Sequence, residues 1–213
     1  MRQAQFVYGV KMELTPETAW NIVCEFVQDG GLRRHMQAVG LATRWYAAHL
    51  GHDEATQDYW QAVGLLHDFD WEIHSNLNEH PIKGADILRL RGIDEETIRT
   101  ILSHYTEGTG VERETPLDFA LLASDEITGL IIATALVRPS RDLRDVAISS
   151  IRKKWKDRRF AGGVDRDHVA EVTEDFSQAC FAGKLELWQH IANVLAAMQA
   201  EAAYLELDGR LAA

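Results

Sequence analysis

The stretch Ala62-Val-Gly-Leu-Leu-His-Asp68 decides how this chain folds and where its chemistry lies. An apolar helix that ends in a histidine and an aspartate places both side chains at the rim of the core. A charged carboxylate there needs a partner, because unpaired burial is costly, and a divalent cation can be that partner. Neighbouring helical residues point about 100° apart, so the pair can approach one cation from two sides, or the aspartate can bridge two.

A second pair of the same type, His52-Asp53, shows why a dipeptide alone is uninformative. It follows Gly51, which is placed to end a helix, and Asp53 is placed to cap the next helix. We therefore interpret His52-Asp53 as local structure and His67-Asp68 as the candidate site.

Outside this stretch, glycine and proline mark helix boundaries, and alternating β-branched runs are nearly absent. We predict an all-α bundle of about eight or nine helices, folded as a single domain over residues 1–213. Its core would span about 30–135, followed by a C-terminal helical extension over about 140–207. The predicted helices cover a first segment from Pro16 that Gly30-Gly31 ends, and then about 32–49, 53–68, 81–90, 94–105, 116–137, the basic run 152–159, 165–181 and 184–207. Thr15 is predicted to cap the first of these helices, and Asp94 the one over 94–105.

Two further residues are candidates for the same cation. His35 lies in mid-helix on the face continued by Val39 and Ala42, where a satisfied core histidine is the more frequent interpretation. Asp125 lies inside the most apolar helix of the chain. Carboxylates are rarely buried fully unless they are paired or bound to a metal, so Asp125 is the carboxylate that most needs an explanation.

The order of these residues on successive helices resembles the HD-domain superfamily of metal-dependent phosphohydrolases, over about residues 30–135. The segments Gly64-Leu-Leu-His-Asp68 and Ala123-Ser-Asp-Glu-Ile-Thr128 are similar to segments of that family. The resemblance implies an HD-domain helical bundle and a divalent metal bound by four residues: His35, His67, Asp68 and Asp125.

Two more segments resemble the two-metal branches of the superfamily: His80-Pro-Ile-Lys-Gly-Ala-Asp-Ile-Leu88 and Ile101-Leu-Ser-His-Tyr105. They imply a second ion held by Asp68, His80 and His104. Taken singly, each histidine is interpreted equally well as a ligand or as an ordinary residue near a helix end. The chain also departs from its relatives, which often follow His-Asp with an apolar residue, Gly and then Lys or His. Here Asp70 stands in that region. It can orient a ligand or contact substrate, and the interpretation that we prefer from sequence is a residue that starts a loop.

The resemblance implies a phosphomonoesterase or phosphodiesterase that acts on a small phosphorylated metabolite or nucleotide through a metal-activated hydroxide, with His67 and Asp68 as the catalytic pair. Histidine-rich ligation favours Mn, Fe, Co, Ni or Zn over Mg alone. Two alternatives stay open: a two-iron oxygenase similar to the inositol oxygenase branch, and a non-catalytic nucleotide-binding sensor. The missing Gly-Lys or Gly-His after His67-Asp68 counts against the oxygenase.

The chain is acidic, with a net charge of −11, which disfavours nucleic acid as a partner. The exception is the basic run Arg152-Lys-Lys-Trp-Lys-Asp-Arg-Arg159. Arg152, Lys153 and Lys154 can bind a substrate phosphate. The interpretation that we prefer is a solvated helix face with Ile151 and Trp155 packed inward.

The remaining expectations concern location and assembly. We find no stretch that approaches the roughly 20 apolar residues of a membrane span, and no secretory signal. Cys24 and Cys180 lie among apolar residues and are expected to be free thiols, so we predict a reducing, cytoplasmic setting. The sequence leaves a homodimer open.

Overall fold

The computed structural model describes residues 12–212, and the fold over this range is all-α, as predicted. No strand forms there, and β-pairing is limited to an isolated bridge between Asp142 and Asp208. Residues 12–212 form ten α-helices, rather than the eight or nine predicted: α1 Pro16–Phe26, α2 Gly30–His49, α3 Glu54–Leu66, α4 Ile82–Leu90, α5 Glu95–Ser103, α6 Thr106–Thr109, α7 Pro116–Leu136, α8 Ile148–Trp155, α9 Arg166–Phe181 and α10 Leu187–Ala200.

The prediction that Gly30-Gly31 ends the first helix is wrong. Helix α1 ends at Phe26, and Gly30 is the first residue of α2. The side chain of Asp29 accepts a hydrogen bond from the backbone N–H of Leu32 at 2.7 Å, so it caps α2. A side-chain cap satisfies an N–H that would otherwise be orphaned, and this local gain outweighs the tendency of glycine to interrupt a helix.

Two other boundaries differ from the predicted ones. The segment predicted as one helix to Tyr105 ends at Ser103, and the short helix α6 follows it, ended by Gly110 in the left-handed region at φ 69°. This extra turn accounts for the higher helix count. At the C-terminus, α10 ends at Ala200 rather than near Leu207, after which the chain forms turns.

The predicted caps that depend on nearest neighbours are present. Asp53 accepts a hydrogen bond from the backbone N–H of Thr56 at 2.9 Å and is the N-cap of α3. Thr15 forms a capping box with Thr18 at the start of α1. The pair His52-Asp53 therefore has the local structural role that we assigned to it.

Helix α7 is the centre of the bundle and packs against α2, α5, α8, α9 and α10. By length and composition alone this helix could cross a membrane, since its apolar window has a mean hydropathy of 1.6. The expectation that no stretch approaches the length of an apolar membrane span was therefore wrong. Of that apolar window, 67% is buried inside the bundle. A helix that is hydrophobic on all sides is explained by burial among other helices, as here.

Helices α2 and α3 cross at very close range, which sets the position of the site. A Cβ atom added to Gly64 would lie 2.8 Å from the Cα of Gly40, so neither position has room for a side chain. The hydroxyl of Thr43 donates to the carbonyl oxygen of Trp60 at 2.9 Å and joins the same two helices. The C-terminal end of α3 is thereby held against α2.

A buried hydrogen-bond chain joins α2, α7 and α10. His190 donates from Nε2 to the carbonyl oxygen of Ala123 at 2.8 Å, and its Nδ1 accepts from the hydroxyl of Tyr46 at 2.6 Å. Burial lowers the pKa of His190 to about 4, so the ring is neutral and has one N–H to give. This chain anchors the segment of α7 immediately before Asp125.

Replacing Tyr46 with phenylalanine should therefore destabilise the fold by about 1–3 kcal/mol, because it leaves the buried Nδ1 of His190 without a donor. Urea unfolding measures the change, with Tyr204→Phe as the control, since Tyr204 is partly exposed. Equal midpoints for Tyr46→Phe and the unmodified protein would contradict the structural role of this chain.

Candidate metal centre

Six polar side chains from five parts of the fold meet in one cleft. His67 is the C-cap of α3 and Asp68 follows it, while His35 comes from α2 and Asp125 from α7. His80 precedes α4, and His104 is the C-cap of α5. Among the described residues they form two groups that can hold a metal ion, with ligand atoms within 4.8 Å of one another in each group: His35, His67, Asp68 and Asp125; and Asp68, His80 and His104.

In the first group, the two imidazole nitrogens lie close to one oxygen of each carboxylate. Nε2 of His35 lies 3.0 Å from Oδ1 of Asp125 and 3.6 Å from Oδ2 of Asp68. Nε2 of His67 lies 3.5 Å from each of the same two oxygens. Four donor atoms therefore converge on one point, two from imidazoles and two from carboxylates.

The second group uses the other oxygen of Asp68. Its Oδ1 lies 3.2 Å from Nε2 of His80 and 3.6 Å from Nε2 of His104. The two carboxylate oxygens of Asp68 thus face different groups of ligands. This is the geometry required of an aspartate that bridges two cations.

Each histidine presents Nε2 to the cleft because its Nδ1 is hydrogen-bonded elsewhere. His67 donates from Nδ1 to the carbonyl oxygen of Gly64 at 2.8 Å, and His104 donates to the carbonyl oxygen of Ile101. A carbonyl oxygen can only accept, so Nδ1 carries the proton in both rings. Nδ1 of His35 likewise has a hydrogen-bond partner outside the cleft, the hydroxyl of Thr128, at 3.0 Å. Such partners fix the tautomer and the orientation of metal ligands.

Asp70 orients His80, so our preference for a loop-initiating role was wrong. Both residues are buried. Oδ1 of Asp70 accepts a hydrogen bond from Nδ1 of His80 at 2.8 Å, and Oδ2 accepts one from the backbone N–H of Gly84 at 3.0 Å. The carboxylate holds the ring of His80 in place and connects it to the first turn of α4.

The cluster has one unsatisfied polar atom, and it points to a cation. Nε2 of His67 is fully buried and has no hydrogen-bond partner. Its nearest carboxylate oxygens, at 3.5 Å, are too distant for a good hydrogen bond. A divalent ion bound among the four donor atoms would satisfy this nitrogen and offset the two carboxylate charges, so the residues fit a metal ion.

The charges of the cluster act strongly on one another. Burial alone would lower the pKa of His67, but the charges of Asp68 and Asp125 raise it well above its usual value. Burial likewise opposes the rise in the pKa of His80, which hydrogen bonds with Asp68 and Asp70 bring to about 9. The pKa of each of Asp68 and Asp125 is lowered despite burial, chiefly by His67. The ionised carboxylates therefore stabilise positive charge in the cleft, which can be either protonated imidazoles or a bound metal ion.

Residues 32–133 match the family model described as HD domain. This chain carries an HD domain. The matched range contains all six residues of the two groups, and members of this family are generally metal-dependent hydrolases that bind divalent ions. No curated protein and no solved structure matches the chain significantly.

Metal binding to the HD domain should strengthen as pH rises from about 6 to 9. The pKa of His80 is about 9, and that of His67 is also raised, so at neutral pH both rings carry protons that a metal must displace. For each proton that the metal must displace, the affinity for the metal should rise about tenfold for every unit of increase in pH. Calorimetric titration with Mn²⁺ at several pH values measures this slope. An affinity that does not change with pH would contradict proton displacement.

The position of Asp70 supplies another test of the HD domain. A Cβ atom at Gly84 would lie 2.5 Å from Cγ of Asp70, so Gly84→Ala must push this carboxylate away from His80. Partners of this kind are typically worth about 10–100-fold in metal affinity, and we expect a loss of that size at the second group only. Metal titration measures it. Gly30→Ala is the control, because a Cβ there meets nothing within 4 Å; equal affinities in the two variants would contradict the role of Asp70.

The cleft above the metal groups is a cavity of about 510 Å³. The other residues that line this cavity were not predicted from the sequence. Among them, only Glu126 could have been found from the sequence, because it directly follows the candidate ligand Asp125. Burial, followed by the charge of Asp125, raises the pKa of Glu126 to about 8. Besides five of the six candidate ligands, the cavity is lined by Trp71, Leu77, Tyr105, Glu126, Gly129, Gly163 and Val164.

One wall of the cavity comes from the loop between α8 and α9. Arg166 is buried and donates hydrogen bonds to the carbonyl oxygens of Phe160, Ala161 and Val164. These bonds fold the loop around the guanidinium group. Gly163 and Val164 are thereby held at the edge of the cleft, outside the matched HD range.

The structure does not bring the basic run to the cavity. Arg152 lies with its guanidinium 4.0 Å from the ring centroid of Trp188, and Nζ of Lys154 lies 4.2 Å from that of Phe160. Lys153 is exposed, and Ile151 is buried below this face. None of the three predicted substrate-binding side chains lines the cavity, and their role in binding substrate stays a prediction.

Proposed function

We propose that this chain is a metal-dependent phosphohydrolase acting on a small phosphorylated substrate. The observation that supports the proposal best is the bridging position of Asp68, whose two oxygens face two separate ligand groups. Divalent ions held in this way supply positive charge to a phosphoryl group and lower the pKa of water towards neutrality. The family to which the domain belongs is consistent with this chemistry.

The residues of the cleft divide the work between them. His35, His67 and Asp125 would hold one ion, His80 and His104 would hold the other, and Asp68 would contribute one carboxylate oxygen to each. No Ser, Thr or Cys side chain lines the cavity among the described residues, so water is the nucleophile that the site offers. The carboxylates are ionised and the tautomers are fixed before substrate arrives, which limits the reorganisation needed during the reaction.

The size and donor set of the cleft narrow the proposal. A volume of about 510 Å³ suits a small molecule. Four imidazoles favour Mn, Fe, Co, Ni or Zn as the resident metal over Mg alone. We also keep as proposals the cytoplasmic location and the absence of a membrane or nucleic-acid partner.

Elemental analysis of the purified protein, followed by a panel of phosphate esters with each metal under anaerobic conditions, tests the proposed function. We expect one or two divalent ions per chain and release of alcohol from at least one ester. Metal-loaded protein that hydrolyses no ester, but consumes oxygen when it contains iron, would replace the hydrolase proposal with the oxygenase alternative.

A further inference from the structure

A second cavity meets the first at the metal groups. It has a volume of about 610 Å³ and lies along α2 and α7 on the other side of Trp71. The two cavities share His35, Trp71 and Gly129. The candidate metal centre therefore lies where these two cavities adjoin, and we name them the Tyr105 arm and the Ile132 arm.

The two arms have distinct linings. The Tyr105 arm is the first cavity, with Tyr105, Glu126 and Val164 in its wall. The Ile132 arm is the second cavity, with Leu32, Ser75 and Ile132 in its wall. Each arm is large enough for a group of several heavy atoms. A ligand centred on the metals can thus extend in two directions.

Neither arm contains a lysine or an arginine among the described residues that line it. Apart from the candidate metal ligands, the charged side chains are Asp29 and Glu72, which line the Ile132 arm. Glu72 already accepts hydrogen bonds from the backbone N–H groups of Gln28 and Asp29, at 2.8 Å and 2.9 Å. Among the described residues that line the arms, positive charge for a substrate is therefore left to the metal groups, and a second phosphate would meet no lysine or arginine in either arm.

We propose that the substrate is a phosphodiester with one phosphate group, bound with its phosphorus at the metal groups and one ester substituent in each arm. This inference rests on the proposed phosphohydrolase function. A diester has two substituents and a single negative charge, which matches a two-armed cleft without cationic side chains. A monoester would fill one arm and carry more charge, and nucleoside polyphosphates would bring further negative charges that no lysine or arginine lining either arm neutralises.

The reaction is hydrolysis of one ester bond. The oxygen of water forms a bond to phosphorus, and the bond between phosphorus and one ester oxygen breaks. That oxygen leaves with the electron pair and takes one proton from the water, while the other hydrogen stays on the phosphate. The products are a phosphomonoester and an alcohol, so no oxidant or further reactant is needed.

Bis(p-nitrophenyl) phosphate and p-nitrophenyl phosphate are suitable probes for the full chain loaded with Mn²⁺. We expect kcat/KM to be at least about tenfold higher for the diester, and release of one nitrophenolate per diester molecule. A preference for the monoester would overturn this inference and leave the proposed function intact. Turnover of neither probe nor any other phosphate ester by metal-loaded protein would overturn both.

Blocking the Ile132 arm separates the two substrates within one protein. Ser75 is exposed and lines only this arm, so Ser75→Trp should lower kcat/KM for the diester at least about tenfold and change that for the monoester less than twofold. Ile132→Phe narrows the same arm from α7 and gives a second test. Ser149→Trp is the matched control, because Ser149 is exposed on α8 and lines neither arm. The inference would be overturned if Ser75→Trp and Ile132→Phe lowered kcat/KM for the diester and for the monoester by the same factor. It would also be overturned if neither variant changed kcat/KM for either probe.

Discussion

Replacing Asp68 with asparagine is expected to remove both metal ions at once. The side chain keeps its size, but it loses the charge that serves both ligand groups through Oδ2 and Oδ1. An ion coordinated at this position is worth several kcal/mol to phosphoryl transfer, so we expect turnover to fall about a thousandfold or more. Elemental analysis after gel filtration and a kinetic assay on the same preparation measure the two effects.

The other His-Asp pair offers a matched control for this change. Asp53 caps α3 through the backbone N–H of Thr56, and asparagine is an equally good N-cap. Asp53→Asn should therefore retain metal, activity and stability. Retention of two ions and full turnover by Asp68→Asn would show that this carboxylate is not the bridge.

His80→Ala and His104→Ala are expected to remove only one of the two ions. Both rings contact Oδ1 of Asp68, whereas the first group is complete without them. The metal content should fall from two ions per chain to one, and turnover should fall about a hundredfold or more, because one ion can no longer stabilise both the attacking and the leaving oxygen. Metal titration with stoichiometry, together with kinetics, measures these changes.

His74→Ala is the control for this pair of variants. His74 lies in the loop that precedes His80, and its Nδ1 is 3.7 Å from Glu79 rather than in the metal groups. This variant should keep two ions. If His80→Ala and His104→Ala lost both ions, or lost none, the division of the ligands into two groups would be wrong.

The parts of the fold that depend on neighbouring residues could be predicted from the sequence. Thr15, Asp53 and Asp94 cap helices where expected, because an N-cap acts within three residues. Asp29 was missed in favour of Gly30-Gly31, although it acts by the same mechanism. The close crossing of α2 and α3 at Gly40 and Gly64 is a tertiary contact that no local pattern could show.

For the site as well, features of the nearby sequence could be predicted, whereas contacts between distant segments could not. The six candidate ligands were named from an apolar context and from a family resemblance, and the structure brings all six together. The role of Asp70 depends on how α4 approaches the turn after α3, so sequence alone could not separate it from a loop residue. Val164 reaches the cleft only because Arg166 folds its loop, a contact that sequence order does not indicate.

The basic run illustrates how a charge pattern can stand out in a sequence while its side chains lie outside the lining of the cavity. Its positive side chains stood out against a net charge of −11. In the fold, Arg152 stacks on Trp188 and Lys154 on Phe160, and the cleft itself has only carboxylates as charged side chains besides its histidines. Positive charge at the cleft would therefore have to come from metal ions bound by its histidines and carboxylates.

Anomalous diffraction at the zinc edge, from crystals of the full chain grown with Zn²⁺, tests whether Asp68 lies between two metal ions. We predict two peaks about 3.5–4 Å apart on either side of the Asp68 carboxylate. One peak should lie about 2.0–2.2 Å from Nε2 of His35 and of His67, and the other at the same distance from Nε2 of His80 and of His104. A map with no peak at Asp68, or one in which Nε2 of His67 bonds to a protein atom instead of a metal, would contradict it.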